Sequence, residues 1–259
     1  FYLFKFGKFK TPTSMNKIII LIVYFCILAV CSSELAAQSR NDLDKKYAIY
    51  KKNQIKTETI EYSDGSNTIS QFDKKGRPTE VKSYNNGVES YITTYKYDKK
   101  GYLSEEAYFG YESGDGVTTQ FFYDADGQMI KSISSGSMED ITEYVNDEFG
   151  NAVTIKYVST YDKTSAGQIE YKNTYANGLL STIEAICKEG DDITMFSRYT
   201  YDGENLIVNE EFDKDCKTGE LKFSFKKIFE YSADGLITKT AFTSTYTDGV
   251  KTGIYKYEK

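Results

Sequence analysis

The chain contains no histidine and no tryptophan. Without histidine, Ser–His and Cys–His nucleophilic catalysis and the commonest metal ligand are excluded. Cysteine is scarce as well. Of four in the chain, only Cys187 and Cys216 lie beyond residue 37, too few for a disulfide framework. Positive charge is never clustered. Lys stands in ones and twos among Glu and Asp, and the formal net charge is −6, which argues against a nucleic-acid partner. Long apolar runs are missing too. The run Ile18–Val30 falls short of the ~20 residues that a membrane-spanning helix needs.

That run follows Met15-Asn16-Lys17 and reads as the core of a secretory signal. Cleavage is expected after Ala37, within Ala36-Ala37-Gln38, leaving Gln38 as the mature N-terminus. A rival signal is Leu28-Ala29-Val30-Cys31, which would make Cys31 a lipidated terminus. The predicted organisation has four parts: translated upstream residues 1–14, signal peptide 15–37, a polar segment 38–55, and a repeat domain 56–259. A short helix is expected within residues 42–52. Export implies an oxidising compartment, in which disulfides persist.

What the chain has in plenty is tyrosine and turns. Tyr95–Phe109, YKYDKKGYLSEEAYF, reads as strand, turn, strand. Alternating Tyr95 and Tyr97 mark a half-buried strand. Asp98-Lys99-Lys100-Gly101 supplies an acceptor at the first turn position and tolerance of positive φ at the last. The signature recurs at Asp73–Gly76, Asp124–Gly127 and Asp147–Gly150, then at Asn177-Gly178, Asp202-Gly203 and Asp234-Gly235. Gly-to-Gly spacings of 25, 26, 23, 28, 25 and 32 mark a tandem array. A second set of turns interleaves with the first, at Asp64-Gly65, Asn86-Gly87, Asp115-Gly116, Gly136, Gly167, Gly190-Asp191, Gly219 and Asp248-Gly249. Each repeat is therefore an antiparallel strand pair, and the turn count gives about sixteen strands. No room is left for crossover helices, which excludes parallel pairing. The predicted fold is all-β, an antiparallel meander of hairpin repeats rolled into a barrel-like or curved sheet. One strand face is aromatic and the other carries Thr, Lys and Glu. Phe223, Phe225, Phe229 and Tyr231 share the aromatic parity. With 24 Tyr against 16 Phe, a thin or hollow sheet with hydroxyls at wet margins is expected.

The units YKYDKKGYLSEEAY, FFYDADGQMIKSI and FEYSADGLITKTAF resemble the YD repeats of Rhs-like proteins. The resemblance covers about residues 56–258, as the repeat count gives. It implies a β-sheet shell. The large shells enclose a C-terminal toxin. This chain has far fewer repeats and ends in a repeat strand, so that role is not expected of it. It looks closer to short exported YD-repeat proteins of Gram-negative bacteria, an uncharacterised group whose fold resembles a porin-like barrel.

Few residues invite chemistry. Asp124 and Asp126 could pair as carboxylates, but they sit in a repeated turn. Asp213-Lys214-Asp215 with Gly219 and Glu220 distantly resembles a calcium loop, with the glycine one place late and Lys217 at the third ligand position. Cys187 and Cys216 are a candidate disulfide. Strands two apart are about 9.6 Å apart, whereas a disulfide needs Cα atoms within about 7 Å, so one loop would have to lean across. The structural turn residues are Asp98, Gly101, Asp124, Gly127, Asp147 and Gly150. No catalytic set, cofactor site or metal site is expected. The leading expectation is a non-enzymatic exported scaffold of the periplasm or cell surface, with a protein or glycan partner. The alternative is an outer-membrane barrel. Contact with a membrane is expected only through that alternative or a lipidated Cys31. Glu143 and Arg198 are read as charged interruptions of the aromatic parity, which disfavours a lipid-facing band.

Overall fold

The computed structural model describes residues 40–111, 113–136, 139–159, 166–245 and 249–259. Residues 1–37, and with them Cys31 and the expected cleavage site, lie outside the described residues. One helix, α1 (Arg40–Lys52), precedes the sheet. The strands are β1 (Thr57–Tyr62), β2 (Asn67–Phe72), β3 (Pro78–Asn85), β4 (Val88–Tyr97), β5 (Leu103–Gly110), β6 (Gly116–Tyr123), β7 (Met129–Ser135) and β8 (Glu139–Asn146). They continue as β9 (Ala152–Ser159), β10 (Ala166–Ala176), β11 (Leu179–Ala185), β12 (Ile193–Asp202), β13 (Asn205–Asp215), β14 (Leu221–Tyr231), β15 (Ile237–Ser244) and β16 (Lys251–Glu258). Each pairs antiparallel with its chain neighbours, and β1 pairs with β16, so the sixteen-strand meander closes into a barrel. Closure leaves no sheet edge to template aggregation. No described helix is long and apolar enough to cross a membrane, a fact that says nothing of a barrel.

The Asp-x-x-Gly turns hold five hairpins at one pole. At Asp98 the backbone closes twice, Gly101 N donating to Asp98 O (3.0 Å) and Asp98 N to Tyr102 O (2.8 Å). The Asp98 side chain accepts from Tyr102 N at 2.8 Å. Asp73, Asp124 and Asp147 repeat this pattern, and Ser232 replaces Asp at Ser232–Gly235. The closing glycines sit at φ between +78° and +95°, where a Cβ is disfavoured. Each of these hairpins slips register by one residue beside the turn. The first residue of the returning strand is thereby displaced. Its carbonyl is taken by a side chain one repeat later: Tyr97 donates to Pro78 O (2.9 Å), Tyr123 to Leu103 O (2.8 Å) and Tyr257 to Ile237 O (2.7 Å). Asn146 does the same for Met129 O at 2.8 Å. The expectation from composition left Tyr hydroxyls at wet margins. These instead staple consecutive repeats, because a displaced backbone acceptor inside the wall needs a donor.

Strand register assigns the faces. Glu58, Ser70, Thr93, Glu106, Ser132, Ala185, Ser197 and Thr240 are buried and all lie on the inward face. Rings there fill the space above small neighbours. A Cβ on Gly167 would lie 2.1 Å from the Tyr157 hydroxyl, and one on Gly253 would lie 3.1 Å from the Tyr62 ring. The outward face mixes charge with exposed apolar side chains, among them Phe109, Phe122, Val158, Ile228 and Ile254. Across strands run Lys96–Glu105 (2.6 Å), Arg198–Glu210 (2.9 Å), Lys226–Glu210 (3.2 Å), Lys239–Glu230 (3.0 Å), Lys256–Glu61 (2.5 Å) and Lys214–Glu184.

Two face assignments need correction. Glu143 pairs in register with Lys131 and Lys156, and Arg198 with Glu210, so both belong to the outward face. Phe223 is opposite Phe212 while Phe225 is opposite Glu211, so a bulge at Ser224 turns Phe223 outward, away from Phe225. One extra residue reverses every side chain beyond it.

Candidate functional site

Helix α1 lies across the pole that carries the Asp-x-x-Gly turns. Its C-terminal half packs under the β2–β3 and β14–β15 turns and the β1–β16 seam. Tyr50, Ile55 and Leu236 form a buried cluster with Ile49, Phe72 and Tyr257. The Tyr50 hydroxyl donates to Glu58 Oε2 at 2.5 Å, and its ring meets Phe72 edge-on at 4.7 Å. Burial, with the Glu58 carboxylate beside it, pushes the Tyr50 phenol far above its ordinary range. Gln54 at φ +55° ends the helix, with Ile55 N returning to Tyr50 O (3.0 Å) and Gln54 N to Lys51 O (3.1 Å), a left-handed cap. The N-terminal half reaches the opposite wall, where Lys45 pairs with Glu204 at 3.0 Å. Thirteen residues span about 20 Å at 1.5 Å per residue, so the helix bridges the pole.

Between its N-terminal half and the far wall lies a cleft of about 460 Å³, lined by Asp44, Lys45, Ala48, Phe149, Asn151, Tyr175, Gly178, Leu179, Leu180 and Tyr201. This is within the range of small-ligand sites. Its floor is a stacked pair, Phe149 on Tyr175, with centroids 4.2 Å apart and planes tilted by 33°. Phe149 is 40% exposed. Asp147 anchors the pair from below. Its Oδ1 accepts from Phe149 N and Asn151 N, both at 3.0 Å. Its Oδ2 accepts from Asn173 Nδ2 at 2.9 Å and from the Tyr175 hydroxyl. Asn151 Nδ2 donates to Tyr175 Oη at 2.8 Å. Burial opposes the Asp147 charge, but these donors outweigh it and hold the carboxyl below its usual range. Burial and the neighbouring Asp147 carboxylate raise the Tyr175 phenol.

The sequence pointed to Asp147 and Gly150 as turn residues, and the turn is there; Asp147 also anchors the aromatic floor of this cleft. Phe149, Tyr175 and Asp44 were not singled out. Phe149 occupies a turn position that is Lys100 or Asp126 in sister repeats, and that exposed aromatic was the available signal. Asp98, Gly101, Asp124 and Gly127 stay in their turns. Asp124 and Asp126 occupy one turn, where Asp124 accepts from Gln128 N. In the calcium-like segment, Asp215 Oδ1 accepts from Lys217 N and Thr218 N, both at 2.8 Å, as a hairpin-loop cap. No group of metal-holding side chains occurs among the described residues.

Cys187 and Cys216 form a disulfide at the opposite pole, with Cα atoms 5.7 Å apart. They follow β11 and β13, which flank β12. The loop 186–192 crosses the end of β12, where Asp192 O accepts from Cys216 N at 2.9 Å and Lys217 pairs with Asp192 at 2.6 Å. That lean closes the gap left by two strand spacings. Within the wall, Glu106 is 6% exposed, opposite Tyr95 and Thr119, and its Oε2 has no partner among the described residues. Burial pushes its carboxyl up to about 7.

No family model matches this chain, and no curated protein matches it. Among solved structures, a porin-like protein from Bacteroides uniformis aligns with 79% of this chain and 96% of its own, at 10% identity and TM-score 0.38. A TcdB2-TccC3-Cdc42 structure aligns with 73% of this chain and 15% of its own, at 12% identity and TM-score 0.23. TcdB2-TccC3 without its hypervariable C-terminal region aligns with 73% and 14%, at 10% identity and TM-score 0.24. This chain thus spans about a seventh of the length of the latter two. Similarity at this level says nothing of activity or partners.

Proposed function

We propose that this chain is a non-enzymatic, exported barrel that serves in the cell envelope as a binding scaffold, with its outer wall in water. The observation that carries this reading is the lattice of cross-strand ion pairs on the outward face. A lipid-facing wall would place those charges in hydrocarbon, at about 2–4 kcal/mol for each Arg or Lys near the midplane. In water the same pairs are nearly neutral in energy and keep the wall soluble. The Cys187–Cys216 disulfide supports an oxidising compartment. The lack of histidine supports a binding role over catalysis, and Glu106, the one described carboxyl raised toward neutrality, faces Tyr95 and Thr119 rather than a second acid or base. Even strand number and full closure are what an outer-membrane barrel also has. Fractionation separates the two. The exported protein is expected in the soluble fraction after carbonate washing and in detergent-free buffer. Recovery only from outer membranes, in detergent, would overturn the scaffold reading.

A further inference from the structure

We infer that the cleft beside α1 binds a neutral glycan, one pyranose ring of which lies on the open face of Phe149. The inference names a ligand class for the scaffold proposed above and rests on that reading. Its first support is a ring that the turn itself does not need. Phe149 takes the third position of its turn, which is Lys75, Lys100, Asp126 and Asp234 in the four sister turns. Its ring rests on Tyr175 with centroids 4.2 Å apart, yet the residue stays 40% exposed and lines the cleft. Tyr175 departs from the repeat pattern as well. Tyr97, Tyr123 and Tyr257 each donate to a displaced carbonyl of the wall. In this repeat Asn173 supplies that donor, Nδ2 to Ala152 O at 3.2 Å. Tyr175 donates instead to Asp147, which fixes it beneath Phe149.

The second support is what the lining offers a ligand. Its two charges are already engaged: Lys45 pairs with Glu204 at 3.0 Å, and Asp44 has an interaction of its own. An ionic ligand therefore finds no unpaired counter-ion among the residues that line the cleft. A purely apolar ligand would strip water from these groups and from the Asn151 amide, which is costly. Asn151 is 7% exposed, and its Nδ2 is committed to Tyr175 Oη at 2.8 Å, so Oδ1 is left to accept. A pyranose suits both halves of the site. Its C–H face, slightly positive, meets the negative face of the aromatic ring. Its hydroxyls, at the edge of the ring, bond to Asn151 and to the rim without bringing charge. Sugars with every hydroxyl equatorial keep the stacking face clear.

The third support is preorganisation. The Tyr175 hydroxyl is fixed by Asp147 and Asn151, and Phe149 N is fixed by Asp147. The platform therefore needs little ordering on binding, which spares affinity.

The probes are cellotriose, xylotriose and triacetylchitotriose, neutral trisaccharides with all-equatorial rings, titrated into the full exported chain by calorimetry and by amide NMR. At least one is expected to bind saturably, with its largest amide shifts at Phe149, Asn151 and Gly178. Sorbitol has the hydroxyls without the ring, and cyclohexanol has the ring without the full set of hydroxyls. Each should bind about tenfold more weakly than the trisaccharide, the scale of a lost aromatic contact. Phe149→Lys restores the residue found at Lys75 and Lys100, so the turn should form and the circular dichroism spectrum should stay unchanged. Binding should nevertheless fall about tenfold. Phe149→Tyr keeps the ring and should keep the affinity. Absence of binding by all three trisaccharides overturns the inference. So does equal affinity for either control, or a Phe149→Lys variant that binds as the parent does. Such a failure would leave the water-facing wall untouched, because fractionation reads the wall and not the cleft.

Discussion

Single residues at this barrel's turns do two jobs that their type alone would not disclose. Tyr123 ends β6 with its ring inside and donates its hydroxyl to Leu103 O, a carbonyl displaced by the register slip beside Asp98–Gly101. Removing only that oxygen strands a partly buried acceptor. Tyr123→Phe should therefore cost about 1–3 kcal/mol in urea unfolding. A loss within about 0.5 kcal/mol, the ordinary surface value, would mean that water serves the carbonyl equally well. Glu106 poses the opposite case. Its folded carboxyl is raised from 4.5 to about 7 by burial, so the folded chain holds a proton that the unfolded chain releases between those values. Stability from this group is present below its unfolded value and falls as pH rises through the window. Glu106→Gln, which imitates the protonated form, should stabilise the protein by about 2–3 kcal/mol at about pH 8 and change little at about pH 4. A variant no more stable than the parent at the higher pH would refute the desolvation argument. Asp73 and Asp147 act in the other direction. Their carboxyls are lowered, and the stability they bring is lost as pH falls below the unfolded value of 3.8.

Among the elements, α1 distinguishes one pole from the other, and a single glycine measures its docking. Gly76 and Gly150 close equivalent turns at φ +78° and +82°. A Cβ on Gly150 meets nothing within 4 Å, whereas one on Gly76 would lie 2.3 Å from Tyr47 O and 2.6 Å from Lys51 N. Both carry the same backbone strain, so Gly76→Ala should exceed Gly150→Ala in thermal destabilisation by the helix contact alone. Hydrogen exchange in residues 43–52 should rise only in the Gly76 variant. Equal losses with an unchanged helix would place α1 elsewhere. This contact also shows where sequence reading stops. Asp-x-x-Gly spacing gave the turns, and turn count gave the strand number, because both depend on local backbone chemistry. The outward placement of Phe223 was misread because a bulge adds a residue without leaving a mark in composition and reverses parity, and that of Glu143 because it shares its face with Ile141 and Val145. The cleft was invisible because Asp44 stands 105 residues before Phe149, and Phe149 26 before Tyr175, and they meet only once the barrel closes. The lean of loop 186–192 that joins Cys187 to Cys216 is likewise a tertiary event.

The whole molecule is a wall of hairpins with aromatic rings and small hydroxyls inside, and with paired charges among exposed apolar side chains outside. Closure through β1 and β16 makes both faces continuous, so the solvent on the outer face decides what kind of barrel it is. Glu143 lies mid-wall on β8, in register between Lys131 and Lys156. A single cysteine there reports that solvent directly. In osmotically opened cells, Glu143→Cys should react with a water-soluble maleimide as completely as a cysteine at the exposed turn residue Lys99, with or without detergent. Protection of residue 143 that is relieved only by detergent would contradict a water-facing wall.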